Sequence, residues 1–290
     1  MNRLRPLLIA LLLILVTLGA SLATAWAHPH IIDAATRQEV DLTALLDDLA
    51  SVQVVLIGEL HNHDGHHRAQ LSILRALELR DDRPLALGVE MFRQESQPTL
   101  DRWTAGRLPL REFLPVYNDN WSYWTSYRPI FEYVRDQRVK TVGLNIDREV
   151  TTKVARNGFA SLSDAERQTL GNVVCVVDPA YSDYIRRAMG AHGGEGRQFL
   201  FFCEAQLLWD TMMARNIIRF LKENPEYRMV VLAGSAHAWK FGIPRQLAEQ
   251  TDISYRVLLP EIDVRINRTN LATDLTDYLW LDEGEDGWQF

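Results

Sequence analysis

The chain has 290 residues, of which 47% are hydrophobic and 24% are charged, and its formal net charge at pH 7 is −7. This length is sufficient for one large domain with a full hydrophobic core. The acidic balance, with no basic stripe in the sequence, argues against nucleic acid and anionic membranes as partners.

The first 27 residues have the pattern of an export signal. Two arginines precede an almost unbroken apolar run from Leu7 to Leu18, and Ala25-Trp26-Ala27 supplies the small residues of a cleavage site. We therefore expect a signal peptide over residues 1–27 and a single domain over residues 28–290, with an uncleaved anchor as the alternative. Because no cysteine follows the run for lipid attachment, we expect a periplasmic protein without a membrane span.

Short apolar runs predict six strands further along the chain. Most of these runs lack alternation between apolar and polar residues, which is typical of parallel strands covered on both faces. The predicted strands are Val52–Ile57, Leu85–Met91, Thr141–Leu144, Phe199–Phe202, Met229–Ala233 and Arg256–Leu259.

Helical patterns lie between the predicted strands. His66–Leu79 and Ala205–Lys222 have apolar residues at helical spacing, and Ser163–Glu166 has the Ser-x-x-Glu form of a capping box. The aromatic-rich stretch Asp101–Pro129 is expected to form a helical cap. The sequence thus predicts an α/β fold: a mostly parallel central sheet with helices on both faces and a helical, aromatic-rich cap.

The sequence contains two cysteines, Cys175 and Cys203, each beside a strand-like run. We expect two small, buried apolar side chains. A disulfide between them is the alternative, because export to an oxidising compartment permits it and the spacing alone does not decide it.

Two strands end in the same motif, Gly-x-x-His. The first motif contains Glu59 and His61, the second ends at His237, and a third predicted strand carries Glu90 near its end. In open parallel sheets, ligands bind beyond the carboxyl ends of the strands. We therefore expect these two imidazoles and two carboxylates to converge on one small volume.

Two chemistries suit this set of residues. Glu59, His61 and His237 would bind a divalent metal such as zinc or manganese, with Glu90 as the general base of a hydrolase. Alternatively, an imidazole would ligate haem iron. A third interpretation is a group of hydrogen-bonded polar residues in the core, without a ligand.

Three further residues are candidates for haem binding. His67 lies near the start of the helix after the first motif, for which Asp64 is the predicted N-cap, and Tyr123 and Tyr127 belong to an aromatic-rich segment. Tyrosinate is a known haem ligand, and aromatic side chains suit the wall of a macrocycle pocket. The alternative is a cap whose rings only pack on the sheet.

The motifs together resemble those of the ChaN-like haem-binding uptake proteins. These proteins belong to the Tiki/TraB superfamily, which also resembles the erythromycin esterases. The similar segments occur in the expected order over nearly the whole chain after the signal: Gly58-Glu59-Leu60-His61 with His66-His67 and Gln70, Glu90-Met91-Phe92 with Gln97, Trp124 with Tyr127 and Pro129, Leu144-Asn145, Ala205-Gln206 with Trp209-Asp210 and Met213-Ala214, and Gly234-Ser235-Ala236-His237 with Gly242-Ile243-Pro244.

The resemblance implies a cell-envelope protein that binds haem in haem or iron uptake or trafficking. A homodimer and envelope haem-transport components are the implied partners. The resemblance also implies the rival function, because some members of the wider superfamily are metal-dependent peptidases with two such motifs and a glutamate. This chain departs from the family at Asn62, where an aspartate is usual; the change removes a carboxylate that would orient a ligand histidine.

Overall fold

The computed structural model describes residues 30–171, 173–189, 194–263 and 265–281. The predicted signal peptide, residues 1–27, lies outside the described residues. Among the helices within them, none is long and apolar enough to cross a membrane.

The described strands form one eight-stranded sheet in the order β2-β1-β8-β7-β3-β6-β4-β5. All neighbours from β8 to β5 are parallel, whereas β1 is antiparallel to both β8 and β2. The strands are β1 Ile31–Asp33, β2 Glu39–Val40, β3 Val54–Glu59, β4 Leu85–Arg93, β5 Lys140–Asn145, β6 Arg228–Gly234, β7 Tyr255–Pro260 and β8 Tyr278–Trp280.

Helices fill the connections between the strands. They are α1 Leu42–Ser51, α2 Asp64–Glu78, α3 Gln97–Thr104, α4 Leu110–Asn120, α5 Trp124–Asp136, α6 Arg148–Asn157, α7 Asp164–Thr169, α8 Pro179–Met189, α9 Gly196–Glu223, α10 Ser235–Ala238 and α11 Ile243–Gln250. Short 3-10 helices occupy Gln94–Ser96 and Phe159–Ser161. The segment α3–α5 is the predicted aromatic-rich cap.

Both faces of the sheet are covered, which confirms the predicted fold class. Val54 and Leu56 of β3 point to the face packed by α9 and α11. Val55 and Ile57, the alternate residues, point to the face packed by α1, α2 and the cap. This two-sided burial explains why the central strands are apolar at successive positions.

One predicted strand is wrong. Phe199–Phe202 lies within α9, which is longer at its amino end than the predicted helix. Phe199 and Cys203, four residues apart, are buried on one side of α9, whereas Leu200 is 43% exposed. A short apolar run does not by itself distinguish a strand from one face of a helix.

The other predicted elements agree with the structure, with boundaries shifted by a few residues. The capping box is confirmed: Ser163 and Glu166 bond reciprocally at the start of α7. The predicted N-cap of α2 is wrong by one residue. His63 is the cap, accepting from the backbone N–H of His66, and Asp64 is the first helical residue.

Both cysteines are free thiols in the structure. Cys203 is buried in α9, and Cys175 lies in the connection before α8, where its thiol donates to the carbonyl of Glu204 at 3.4 Å. Neither lies in a strand, so the predicted strand context is wrong. Burial raises the pKa of the Cys175 thiol to about 12, with the nearby Glu204 contributing.

The path of the chain produces a crevice at the centre of the sheet. From β3 the chain passes to β4 and β5 with connections on the α2 face, then returns to β6 and passes to β7 with connections on the α9 face. Strand β6 therefore lies between β3 and β4, where the direction of winding reverses. The crevice beyond the carboxyl ends of these three strands is the usual ligand site of such folds.

Close packing at the end of β3 gives a testable prediction. A Cβ at Gly58 would lie 2.5 Å from Cδ2 of Leu259 and 3.1 Å from the backbone Cα of Ser235. We expect Gly58→Ala to lower the free energy of unfolding by about 1–3 kcal/mol through overpacking, measured by urea denaturation. Gly194→Ala is the control, because its Cβ would come no closer than 3.5 Å to Phe199. Equal stability of the two variants would contradict the prediction.

Candidate functional site at the strand ends

The carboxyl ends of β3, β6 and β4 bring the predicted residues together. Glu59 and Gly234 are paired in register at the ends of β3 and β6, and Glu90 follows the Val89–Leu232 pair of β4 and β6. The two Gly-x-x-His motifs thus end side by side. His237 lies in α10, which starts immediately after β6.

Glu59 is the centre of the first hydrogen-bond network. Its side chain is buried, and Oε1 lies 2.8 Å from Nδ1 of His61 while Oε2 lies 2.9 Å from Nδ1 of His67. The hydroxyl of Tyr127 also donates to Oε1. Burial alone would raise the pKa of Glu59, but the hydrogen bonds and charges of the two histidines hold it at about 2. Glu59 is therefore an anion at neutral pH.

His67 and Tyr127 are fully engaged in this network. Nε2 of His67 lies 3.1 Å from the carbonyl oxygen of His61, and its Nδ1 is also 3.3 Å from Oε1 of Gln70. Burial opposes protonation of His67, but Glu59 raises its pKa above the usual value. Burial and the charge of Glu59 raise the pKa of the Tyr127 hydroxyl. Glu59 thus orients two imidazoles. In the ChaN-like proteins an aspartate at position 62 would be expected to orient a ligand histidine, and in this chain, with asparagine there, Glu59 has that orienting role.

His237 is the centre of the second network. Its Nδ1 lies 2.7 Å from Oδ1 of Asp210, and the other oxygen of Asp210 accepts from the hydroxyl of Tyr181 at 2.6 Å. Its Nε2 lies 3.8 Å from Oε1 of Glu90. Burial would lower the pKa of His237, but Glu90 and Asp210 together raise it to about 9. His237 is therefore an imidazolium at neutral pH.

The ring of His61 lies between the two networks. A Cβ at Gly234 would come within 2.8 Å of its Cε1, so glycine is required there for the ring to lie over the end of β6. Trp121 packs edge-on against the same ring, with centroids 4.9 Å apart. Burial opposes protonation of His61, but its hydrogen bond to the Glu59 carboxylate and the charge of Glu90 raise its pKa. The ring remains 38% exposed.

An open cleft of about 340 Å³ lies above His61. Trp121 and Tyr123, from the turn between α4 and α5, form one wall, and Trp209 of α9 lies on the opposite side. Tyr123 is 53% exposed and has a φ of 60°, a left-handed conformation that costs a non-glycine residue energy. The cleft therefore has a large exposed ring on a strained backbone at its rim.

The structure brings some candidate residues to the cleft and places others beneath it. His61 and Tyr123 line the cavity, whereas His67, Tyr127 and His237 are buried below with their polar atoms engaged. Asp210 and Tyr181 were not singled out as site residues by sequence reasoning. In the sequence, Asp210 stood out only as part of a segment that resembles the ChaN-like proteins. Tyr181 lies in α8, which contains no motif.

The predicted metal set is not arranged as a ligand shell. Both oxygens of Glu59, one of the three predicted ligands, face histidine Nδ1 atoms and are not directed at a shared position with His61 and His237. Across the described ranges, no group of three or more His, Cys, Asp or Glu side chains is placed to hold a metal ion. The hydrolase alternative, with Glu90 as base, is therefore not favoured.

The fold and the cleft define an α/β protein with an aromatic-walled cleft at the winding reversal of a parallel sheet. A model of the family of haem-binding uptake proteins of the Tiki superfamily, ChaN, matches residues 45–247. The chain belongs to this family, which confirms the resemblance seen in the motifs. Haem-binding uptake is accordingly the type of function that the family indicates for it.

ChaN of Campylobacter jejuni, described as binding haem cofacially, is a solved structure with the same fold. It superposes with a TM-score of 0.67 at 21% identity, covering 88% of this chain and 97% of that one. A mutant of the erythromycin esterase EreC in its open conformation is less similar, with a TM-score of 0.45 at 14% identity, covering 79% of this chain and 76% of that one. No curated protein matches the sequence.

The raised pKa of His237 predicts a pH-dependent stability. The stabilisation that protonated His237 contributes is complete below its ordinary value of 6.5 and is lost as the pH rises towards 9. A shift of this size corresponds to about 3 kcal/mol of unfolding free energy. We expect urea denaturation to show this loss between pH 6.5 and 9.

The control is a double variant, Asp210→Asn with His237→Gln, which replaces the ion pair by neutral amides. Its free energy of unfolding should fall less than that of the wild type over the same pH range, because the other histidines are unchanged. Parallel pH profiles for the two proteins would show that His237 does not titrate in this window.

Proposed function

We propose that this protein is exported and carries haem as cargo in the cell envelope, in haem or iron uptake. The observation that carries the proposal is the aromatic-walled cleft above His61, in a chain of the ChaN family. A planar macrocycle needs apolar, aromatic walls and a few polar groups at defined positions. The predicted export signal supports the envelope location.

The polar groups around the cleft fit a haem. Nε1 of Trp209 and Nε of Arg93 are buried, and neither has a hydrogen-bond partner among the described residues. Both residues line the cleft. An unsatisfied buried donor is costly, and an acceptor on a bound ligand removes that cost. The cleft thus combines aromatic walls with two unsatisfied N–H groups buried in the residues that line it.

Tyr123 is the proposed iron ligand. The hydroxyl of Tyr127 is bound to Glu59, and both nitrogens of His67 have partners, so either residue would have to break a buried network to reach the cleft. The ring of Tyr123 is exposed at the mouth of the cleft and needs no such rearrangement. Tyrosine is an established axial ligand of haem iron.

The buried residues have a supporting role in this proposal. Glu59 and His67 hold His61 in place as the floor of the cleft, and Asp210 holds His237 beside it. The cleft is open to solvent, so one side of a bound haem would face outwards. A homodimer that apposes two clefts would cover that side, in keeping with cofacial binding by the Campylobacter jejuni protein, and envelope haem-transport components would exchange the cargo there.

A haemin titration of residues 28–290 tests the proposal. We expect a saturable Soret change in the wild type. Tyr123→Phe should weaken binding by about tenfold or more and change the position of the Soret band, because the oxygen ligand is lost while the ring remains.

Tyr255→Phe is the matched control, since Tyr255 begins β7 and is paired with Val54 at the amino ends of the parallel strands, opposite the cleft. It should bind haemin as the wild type does. A wild type with no saturable Soret change would overturn the haem function. An unchanged spectrum in Tyr123→Phe, with the spectrum lost in His61→Ala, would assign the iron to His61 instead.

A further inference from the structure

The turn between α4 and α5 places the ring of Tyr123 at the rim of the cleft. Tyr123 has φ 60° and ψ 36°, which is the left-handed region of backbone conformation. For a residue with a side chain this conformation is costly, and it persists only where the surrounding structure fixes it. The contacts that hold the turn therefore determine where the ring of Tyr123 lies.

The peptide bond before Tyr123 is held by a hydroxyl of the cap. Tyr117 of α4 donates its hydroxyl hydrogen to the carbonyl oxygen of Ser122 at 2.8 Å. The ring of Tyr117 is fully buried, with its centroid 4.8 Å from that of Trp124 and 5.9 Å from that of Phe92 on β4. Because packing fixes this ring, its hydroxyl is a fixed donor that sets the orientation of the peptide plane between Ser122 and Tyr123.

The peptide bond after Tyr123 is held by the first turn of α5. The carbonyl oxygen of Tyr123 accepts from the backbone N–H of Ser126 at 3.0 Å and from that of Tyr127 at 3.3 Å. The dihedrals φ and ψ of a residue are the rotations that relate its two flanking peptide planes. Since hydrogen bonds hold both planes, they also fix the left-handed conformation of Tyr123 and the direction in which its side chain leaves the backbone.

Asn120, the last residue of α4, joins the same turn to the end of β4. Its side-chain oxygen accepts from the backbone N–H of Arg93 at 2.9 Å. Its side-chain nitrogen donates to the hydroxyl of Ser96 at 2.9 Å and to the carbonyl of Val116 at 2.8 Å. The turn is thus fixed relative to the strand end beside the cleft, and the hydroxyl of Tyr117 fixes the conformation within it.

We propose that Tyr117 is a positioning residue for haem, because its hydroxyl holds Tyr123 in the conformation that places the phenol at the cleft. This inference rests on the proposed function, in which Tyr123 binds the iron. Without the hydroxyl, the peptide plane before Tyr123 is free to rotate, and Tyr123 relaxes towards a conformation with negative φ. Haem binding must then restore the strained conformation. Tyr117 acts only through Tyr123, since it is buried in the cap and does not line the cleft.

The test begins with Tyr117→Phe, which removes the hydroxyl and keeps the packed ring. We expect a haemin titration of residues 28–290 to show an affinity about tenfold lower than that of the wild type, which corresponds to about 1.4 kcal/mol. The Soret band at saturation should stay at the wild-type position, because the same oxygen still binds the iron. In Tyr123→Phe, by contrast, the band should move.

Tyr133→Phe is the matched control. Tyr133 is a tyrosine of the same cap whose hydroxyl also donates to another side chain, that of Glu78, but it does not line the cleft or contact the turn. This variant should bind haemin as the wild type does. A loss in Tyr133→Phe equal to that in Tyr117→Phe would overturn the positioning role, because any weakened cap would then have the same effect.

The double variant, Tyr117→Phe with Tyr123→Phe, separates positioning from a general structural role. If Tyr117 acts through Tyr123, the double variant should bind haemin as tightly as Tyr123→Phe alone. Wild-type affinity in Tyr117→Phe, or an equal further loss in the double variant, would overturn the positioning role. A wild type without a saturable Soret change would instead overturn the haem function, and wild-type binding by Tyr123→Phe would overturn the iron ligand, so the failures are distinguishable.

Discussion

The buried carboxylate of Glu59 is the interaction on which the rest of the site depends. A carboxylate in a protein core is costly unless several donors satisfy it. Here His61 comes from the loop after β3, His67 from α2 and Tyr127 from α5 of the cap. One charge therefore fixes three elements, and the cap is joined to the sheet through the same hydrogen bonds that hold the floor of the cleft.

The second network repeats this arrangement on the other face of the sheet. Asp210 of α9 binds His237 after β6, so helices from both faces meet beneath one cleft. The histidines of the two networks all have raised pKa values because carboxylates adjoin them. The floor thus pairs each of these histidines with a carboxylate, and Tyr123, the proposed iron ligand, is exposed at the rim above it.

The sequence predicted the floor better than the rim. A glycine that precedes a histidine at the end of a strand can be recognised in the local sequence. Because parallel strands bring such ends together, the convergence of Glu59, His61, Glu90 and His237 could be predicted. The pairing of His237 with Asp210, 27 residues earlier, depends on how α9 packs across the sheet. The position of Arg93 beside the cleft depends on strand order, which the sequence does not show. Phe199–Phe202 was wrongly predicted as a strand because its burial, not its composition, distinguishes a helix from a strand.

The distinction between a metal centre and a haem cleft depends on the neighbours of the histidines rather than on the histidines themselves. A carboxylate beside one imidazole nitrogen is compatible with metal binding through the other nitrogen. The neighbours of Glu59 make the difference, because both of its oxygens face histidine Nδ1 atoms and neither is left to bind an ion. The two motifs therefore form a hydrogen-bonded floor beneath the cleft, and Tyr123, the proposed iron ligand, belongs to neither of them.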